Sequence, residues 1–212
     1  MTARARLPPR CIAEGPPARN AARRRVPPAP HGQARAVPRE RRAMGLDVSD
    51  LACRRAGRRV FAGVSFAVAE GAAATLRGPN GSGKSSLLRV LAGFIPPEAG
   101  DAAFGGLSLA RDAGEWRERV AYAGHLDAVK PQLSVAENLE SWAALNGARP
   151  GAVGRALDLF GLARIADYPA AYCSAGQKRR LGLARLLTSE RPLWLLDEPT
   201  VSLDAAATAD FA

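Results

Sequence analysis

One glycine-rich stretch decides the fold: Gly78-Pro79-Asn80-Gly81-Ser82-Gly83-Lys84-Ser85-Ser86. It fits the pattern Gly-x-x-x-x-Gly-Lys-Ser, in which glycines let the backbone curl so that its N–H groups face phosphate oxygens. In this pattern Lys84 reaches the β- and γ-phosphates of a nucleotide, and the hydroxyl of Ser85 binds Mg²⁺. The stretch follows a strand-like segment, 72–77, and opens a helix, which is the expected context for such a loop. The sequence therefore predicts a site for a nucleotide and Mg²⁺ to which all nine residues contribute.

A second stretch, Leu193-Trp194-Leu195-Leu196-Asp197-Glu198, is a short apolar run that ends in two acids. Such a run suits a buried parallel strand. In a sheet shared with the strand before the phosphate loop, Asp197 would lie beside the Mg²⁺ and Glu198 could polarise the attacking water. Acids are common at strand ends, so this stretch is informative only because a phosphate loop precedes it.

A third stretch, Cys173-Ser174-Ala175-Gly176-Gln177, places a helix-capping serine before small residues. Ser174 is predicted to cap a helix that runs to about Ser189, and the free amides of its first turn could bind an anion. The alternative is an ordinary capped helix on which the basic run 178–180 faces solvent. Taken alone, the stretch favours that alternative.

Composition limits the classes of function. The chain has 212 residues, of which 47% are apolar and 24% are charged, and its net charge is +10. Residues 1–43 hold 11 arginines and two glutamates, so they carry +9 of that charge, whereas residues 44–212 carry only +1. A nearly neutral body has no general signature of nucleic-acid binding. We therefore expect no nucleic-acid partner.

Residues 1–43 are rich in Arg, Pro and Ala and have no hydrophobic periodicity, so they predict a disordered extension. One interpretation is translated upstream DNA from a GC-rich genome, with the true start at Met44. The other is a basic arm that binds anionic lipid or nucleic acid. The three cysteines, at positions 11, 53 and 173, form no disulfide framework and point to a reducing compartment, and two histidines make a His-rich metal site unexpected.

The remaining patterns predict an α/β class for residues 44–212. Alternating residues predict strands over 46–51, 60–68 and 120–124, and capping and periodicity predict helices over 134–145 and 152–160. Strands come first, then the phosphate loop, then a helix-rich middle and a last buried strand.

The three motifs together resemble the nucleotide-binding domain of ABC transporters. The stretch 173–177 is similar to that family's LSGGQ signature, with Cys for Leu and Ala for the first Gly, and 197–204 is similar to its Walker B and D-loop. The resemblance implies a P-loop NTPase fold of the ABC ATPase type, with a RecA-like core, an antiparallel β layer and a helical insertion over about 112–187.

The resemblance also implies a mechanism and partners. Two copies would form a head-to-tail homodimer around two ATP molecules, and hydrolysis would drive a transmembrane permease subunit. Glu198 would be the catalytic base, and Asp204 of the D-loop would line the dimer seam. The trans contact to ATP would come from the signature residues Ser174, Ala175, Gly176 and Gln177.

Within this family the stretch 120–139 is similar to the ATP-binding subunits of the haem exporters of bacterial cytochrome c maturation. His125 falls where most ABC ATPases have a glutamine near the lytic water, which implies a catalytic place for it rather than haem ligation. Trp142 would face the membrane subunit or simply pack in its helix. Haem would be handled only through the complex, at the cytoplasmic face of the inner membrane, where the chain would be peripheral.

Three alternatives stay open: an ABC ATPase for another exported substrate, an ABC protein acting on nucleic acid, and a fragment that binds but does not hydrolyse ATP. Two departures from the family bear on them. Arg54 and Arg55, with Phe61 a few residues on, occupy the region of the usual adenine-stacking aromatic. Eight residues follow Asp204, without the family's later histidine, so we expect a C-terminally truncated domain.

Overall fold

The computed structural model describes residues 45–199 and, before them, the backbone of one short strand, Ala3–Arg6. The chain divides into two compact units, one ending at Trp116 and the other starting at Arg117. The predicted D-loop residue Asp204, Cys11, His31 and Met44 lie outside the described residues.

The first unit contains an antiparallel sheet, as predicted. Its longest strands are β2 (Leu46–Arg55) and β3 (Arg58–Val68), which extend further than the predicted 46–51 and 60–68. They are joined at Ala56 and Gly57, both with positive φ, as a tight hairpin requires. Strands β5 (Ala99–Phe104) and β6 (Leu107–Ser108), which the sequence did not predict, complete the order β3-β2-β5-β6.

The strand before the phosphate loop, β4 (Ala74–Arg77), pairs in parallel with β1 (Ala3–Arg6). The sequence predicts disorder for all of residues 1–43 and therefore does not predict strand β1. It precedes the first proline of the segment, Pro8, and strand pairing needs only main-chain N–H and C=O groups, so the basic composition does not prevent it. The rest of the segment lies outside the described residues.

Helix α1 (Lys84–Leu91) follows the phosphate loop and buries one apolar face, formed by Leu87, Leu88, Val90 and Leu91. Helix α2 (Ala113–Arg119) carries the buried Trp116. The indole Nε1 of Trp116 donates a hydrogen bond of 2.6 Å to the carbonyl of Leu91, which ties α2 to the end of α1.

The second unit has a parallel pair of strands, β7 (Val120–Ala123) and β8 (Leu193–Leu196). This confirms the predicted parallel strand before Asp197. Its burial is only partial, because Leu195 is buried whereas Trp194 is exposed.

Three helices follow β7: α3 (Val135–Asn146), α4 (Ala152–Leu159) and α5 (Ala175–Ala184). The predicted helix from Ser174 to about Ser189 is wrong at its end, since Arg185–Thr188 forms a tighter 3-10 turn. The predicted helical insertion, 112–187, contains these helices and also strand β7. No helix among the described residues is long and apolar enough to span a membrane.

Candidate functional site

The phosphate loop depends on two glycines in the left-handed backbone region. Gly81 has φ 78° and Gly83 has φ 95°, a conformation that costs glycine little and other residues more. A Cβ on Gly83 would also lie 3.0 Å from Cγ1 of Val60 and 3.3 Å from Cδ1 of Phe61. The loop therefore packs directly against the start of β3, and Gly83 is required for both its φ and its space.

The loop brings several hydrogen-bond donors close together. The Lys84 ammonium folds back and donates to the carbonyls of Gly78 (2.9 Å) and Pro79 (3.0 Å). The first N–H groups of α1 have no acceptor within the helix, as at every helix start. The Ser82 hydroxyl is buried without a hydrogen-bond partner among the described residues. An unpaired buried donor beside a cationic helix start suits phosphate oxygens.

The region of the usual adenine-stacking aromatic holds one core residue and two arginines. Phe61 is buried, and its ring lies against the phosphate loop, so it is a core residue. Arg54 forms an ion pair with Glu98, with 2.8 Å between Nη2 and Oε1, and its Nη1 donates to the carbonyl of Gly57. Arg55 is exposed.

The predicted acidic pair lies directly after β8. Asp197 is buried, its N–H donates to the carbonyl of Ala123 (2.8 Å), and its Oδ2 lies 3.4 Å from the Tyr122 hydroxyl. A buried carboxylate oxygen of this kind suits a hard cation such as Mg²⁺. Glu198 is exposed and has φ 51°, a rare conformation for a non-glycine residue.

The signature-like stretch forms a helix start with a reciprocal cap. The Ser174 hydroxyl accepts from the Gln177 N–H (3.2 Å), and Gln177 Oε1 accepts from the Ser174 N–H (2.7 Å). Ser174 and Ala175 are exposed, so this helix start is open to a ligand. Cys173 is free and buried, and burial raises the pKa of its thiol, which makes it a poor nucleophile.

His125 follows β7 and is exposed. Trp142 is half-buried, and the Arg185 guanidinium lies 4.9 Å from its ring centroid, a cation–π contact. Burial, and to a lesser extent the charge of Arg179, lowers the pKa of Arg185. This contact supports the packing interpretation of Trp142.

Two residues near the acidic pair have contacts that the sequence did not predict. Tyr122 contacts Asp197, and Arg179, which belongs to the basic run expected to face solvent, is buried with only 4% of its surface exposed. That expectation is wrong for Arg179, because its guanidinium reaches main-chain carbonyls at the ends of both strands β7 and β8. Nothing in the sequence distinguishes Arg179 from the basic residues on either side of it.

Comparison with known proteins gives a consistent result. The family model described as ABC transporter matches residues 61–201. The cytochrome c biogenesis ATP-binding export protein CcmA of Paramagnetospirillum magneticum is 56% identical over 76% of this chain and 76% of its own length. The protein of the same name from Rhodospirillum rubrum is 53% identical over 74% of this chain and 68% of its own length.

Solved structures agree with this assignment. An ATP-binding subunit of an ABC transporter is similar with a TM-score of 0.69 and 28% identity, over 78% of this chain and 70% of that one. A bacterial Atm1-family ABC exporter with ATP bound also gives a TM-score of 0.69, at 25% identity, over 86% of this chain and 33% of that one. In transporters, ATPases of this family work as dimers with a transmembrane partner. The chain belongs to the ABC transporter family, as an ATP-binding and ATP-hydrolysing subunit.

Proposed function

We propose that this chain is the ATPase subunit of an exporter that serves cytochrome c biogenesis and handles haem. The observation that carries the proposal is its 56% identity to a cytochrome c biogenesis ATP-binding export protein, over 76% of both chains. The phosphate loop supports nucleotide binding by the same chain. Its Ser82 hydroxyl is buried without a partner among the described residues, and its Lys84 ammonium lies against the carbonyl of Gly78.

In the proposed site, Lys84 and the N–H groups of 81–86 hold the phosphates of ATP. Ser85 and Asp197 hold Mg²⁺, which when bound neutralises charge on the phosphate oxygens. Glu198 accepts the proton of the attacking water, and His125 orients that water by a hydrogen bond.

The proposed assembly is a head-to-tail homodimer. Residues 174–177 of one copy contact the γ-phosphate held by the other copy, and Asp204 lines the seam. A transmembrane permease subunit couples hydrolysis to export and is the route by which haem is handled. The chain is then peripheral at the cytoplasmic face of the bacterial inner membrane. No nucleic acid is included, because residues 44–212 carry a net charge of only +1.

ATP titration of the purified full chain by calorimetry tests the binding step. We expect Lys84→Ala to weaken ATP binding by at least about tenfold, because it removes the cation at the phosphates, whereas the exposed Lys130→Ala should bind like the parent. Equal affinity in all three proteins would contradict nucleotide binding at this loop.

Complementation tests the export step. A strain that lacks its own cytochrome c biogenesis ATPase is supplied with this chain, and covalently bound haem is measured in its c-type cytochromes. The parent chain should restore the haem, and Glu198→Gln should not, because general-base catalysis contributes about 10²–10⁴-fold to rate. Full restoration by Glu198→Gln, or none by a parent that hydrolyses ATP, would refute the proposal.

A further inference from the structure

Arg179 makes a complete set of hydrogen bonds in the interior of the second unit. It lies on α5, two residues after the capped stretch 174–177, and only 4% of its surface is exposed. A guanidinium has five N–H donors, and each of them meets an acceptor here. The acceptors are the carbonyls of Pro199 (3.3 Å, from Nε), Gly124 (2.7 Å, from Nη1), Asp197 (3.0 Å, from Nη2) and Glu198 (2.7 Å, from Nη2), and Asp127 Oδ1 (3.2 Å, from Nη1).

These acceptors lie beside the two groups proposed to act on water. The main-chain carbonyl of Glu198 accepts from Arg179, and Gly124 immediately precedes His125. The positive φ of Glu198, 51°, is a conformation that persists in proteins only where surrounding contacts enforce it. The bonds from Arg179 to the carbonyls of Asp197 and Glu198 supply such contacts on both sides of that strained φ.

A second contact joins the same face of α5 to the segment after β7. Gly182 lies three residues after Arg179, and residues at that spacing share a helix face. A Cβ on Gly182 would lie 2.6 Å from the carbonyl oxygen and 3.0 Å from Cα of Asp127. Helix α5 therefore touches segment 124–127 through bare backbone, and the Arg179 bonds fix it there.

We propose that Arg179 is a positioning residue for ATP hydrolysis, which attaches both Glu198 and the segment carrying His125 to helix α5. The inference rests on the proposed roles of Glu198 and His125. Because the first turn of α5 is also the proposed contact to the nucleotide on the other copy, a displacement of α5 moves Glu198.

Arg179→Lys is the deciding variant, since lysine keeps the charge but has three donors instead of five. It is tested in the full chain assembled with its membrane subunit, by steady-state ATPase kinetics and by the Kd for ATP. We expect kcat to fall at least about tenfold and Kd to stay within about threefold. The neighbouring Arg180→Lys, which loses one 3.4 Å contact to the Phe160 carbonyl, should keep kcat within about twofold.

Asp127→Asn separates positioning from stability. It removes the negative charge of the ion pair but keeps a side-chain oxygen that can accept from Nη1, and the four main-chain acceptors of Arg179 stay in place. It should lower the melting temperature and keep kcat within about threefold. A loss of kcat equal to that of Arg179→Lys would overturn the proposal, as would an Arg179→Lys protein whose kcat is unchanged or whose Kd rises in proportion.

Glu198→Gln, alone and combined with Arg179→Lys, distinguishes the two levels of proposal. If Glu198→Gln retains the parent rate, the proposed function of Glu198 fails. If it lowers the rate strongly but measurably, Arg179→Lys should add no further loss in that background, because the alignment by Arg179 serves the carboxylate that Glu198→Gln has already removed. Fully additive losses would overturn the positioning role.

If Arg179→Lys does not fold, Gly182→Ala is the deciding variant. Its new Cβ displaces segment 124–127, which should lower kcat while the Kd for ATP stays unchanged. An unchanged kcat would overturn the proposal.

Discussion

The hydroxyl of Tyr122 donates a hydrogen bond to Oδ2 of Asp197 across 3.4 Å, so a side chain of β7 touches the carboxylate that follows β8. The two strands are parallel neighbours, with Tyr122 opposite Leu195, two residues before Asp197. The aromatic ring also lies against Gly124, where a Cβ would be 3.1 Å from Tyr122 Cε1. Tyr122 thus lies between the proposed Mg²⁺ ligand and the residue before His125.

Tyr122→Phe should lower the apparent affinity for the Mg²⁺ that hydrolysis requires, while leaving the fold intact. Phenylalanine keeps the ring against Gly124 but removes the donor that orients Asp197. We expect the apparent Mg²⁺ affinity, measured by titrating ATPase activity, to fall about threefold to tenfold, with a loss of about 1 kcal/mol in unfolding free energy. Tyr168→Phe, at a side chain that is 60% exposed, serves as the matched control. Identical Mg²⁺ titrations for the two variants would contradict an orienting role.

Gly83→Ala should be more damaging to the fold than Gly81→Ala. Both positions have positive φ, a conformation that costs an alanine about 1–2 kcal/mol. Only at Gly83 does the new Cβ also meet a neighbour, at 3.0 Å from Val60, whereas nothing lies within 4 Å of a Cβ at Gly81. We expect Gly83→Ala to lose about 1–3 kcal/mol more in urea unfolding, the usual cost of overpacking. Equal losses of unfolding free energy in the two variants would mean that the positive φ alone, and not the contact with Val60, sets the cost.

Much of the site follows from local sequence. The strand 193–196 and the helix starts capped by Ser134 and Ser174 lie where the sequence predicts them, and Gly81 and Gly83 have the positive φ that a tightly curled loop needs. Each depends on residues within a few positions of one another: a backbone conformation that glycine alone adopts readily, a side chain bonded three residues ahead, or an apolar run of strand length.

What the sequence missed depends on distant partners. The carbonyls that accept hydrogen bonds from Arg179 lie 18 to 55 positions away in the sequence. The adjacent residues of the run 178–180 therefore do not indicate that Arg179 is buried. Strand β5 has the sequence Ala-Gly-Asp-Ala-Ala-Phe, with no β-branched residue, and forms because it aligns with β2. Pairing and burial of this kind are decided by tertiary structure.

The ion pairs of Glu98 predict a pH-dependent contribution to stability. Hydrogen bonds from Arg59 and then Arg54 hold the pKa of Glu98 below its ordinary value of 4.5. A lowered carboxyl pKa means that the folded state binds the proton less well, so the stabilisation is present above pH 4.5 and is lost as pH falls through the folded-state pKa. Glu98→Gln should therefore melt at a lower temperature than the parent at pH 7.

The same comparison in acid provides the check. The difference in melting temperature should shrink as pH falls below 4.5, and high salt at pH 7 should also reduce it. Glu140→Gln, at an exposed position of α3, is the control for a general loss of negative charge. A Glu98→Gln difference that is the same at every pH would exclude the ion pairs as its cause.

Ser174 and Ser134 form the same reciprocal cap, at the starts of α5 and α3, which allows stability and activity to be separated. Replacing either serine by alanine removes one bond to a first-turn N–H and should cost about 1 kcal/mol of unfolding free energy. Ser174 has the further proposed contact to the γ-phosphate held by the other copy. Ser174→Ala should therefore lower kcat for ATP by about tenfold in the assembled complex, as expected for one lost phosphate contact, whereas Ser134→Ala should not. Equal ATPase rates in two equally destabilised variants would show that Ser174 is only a helix cap.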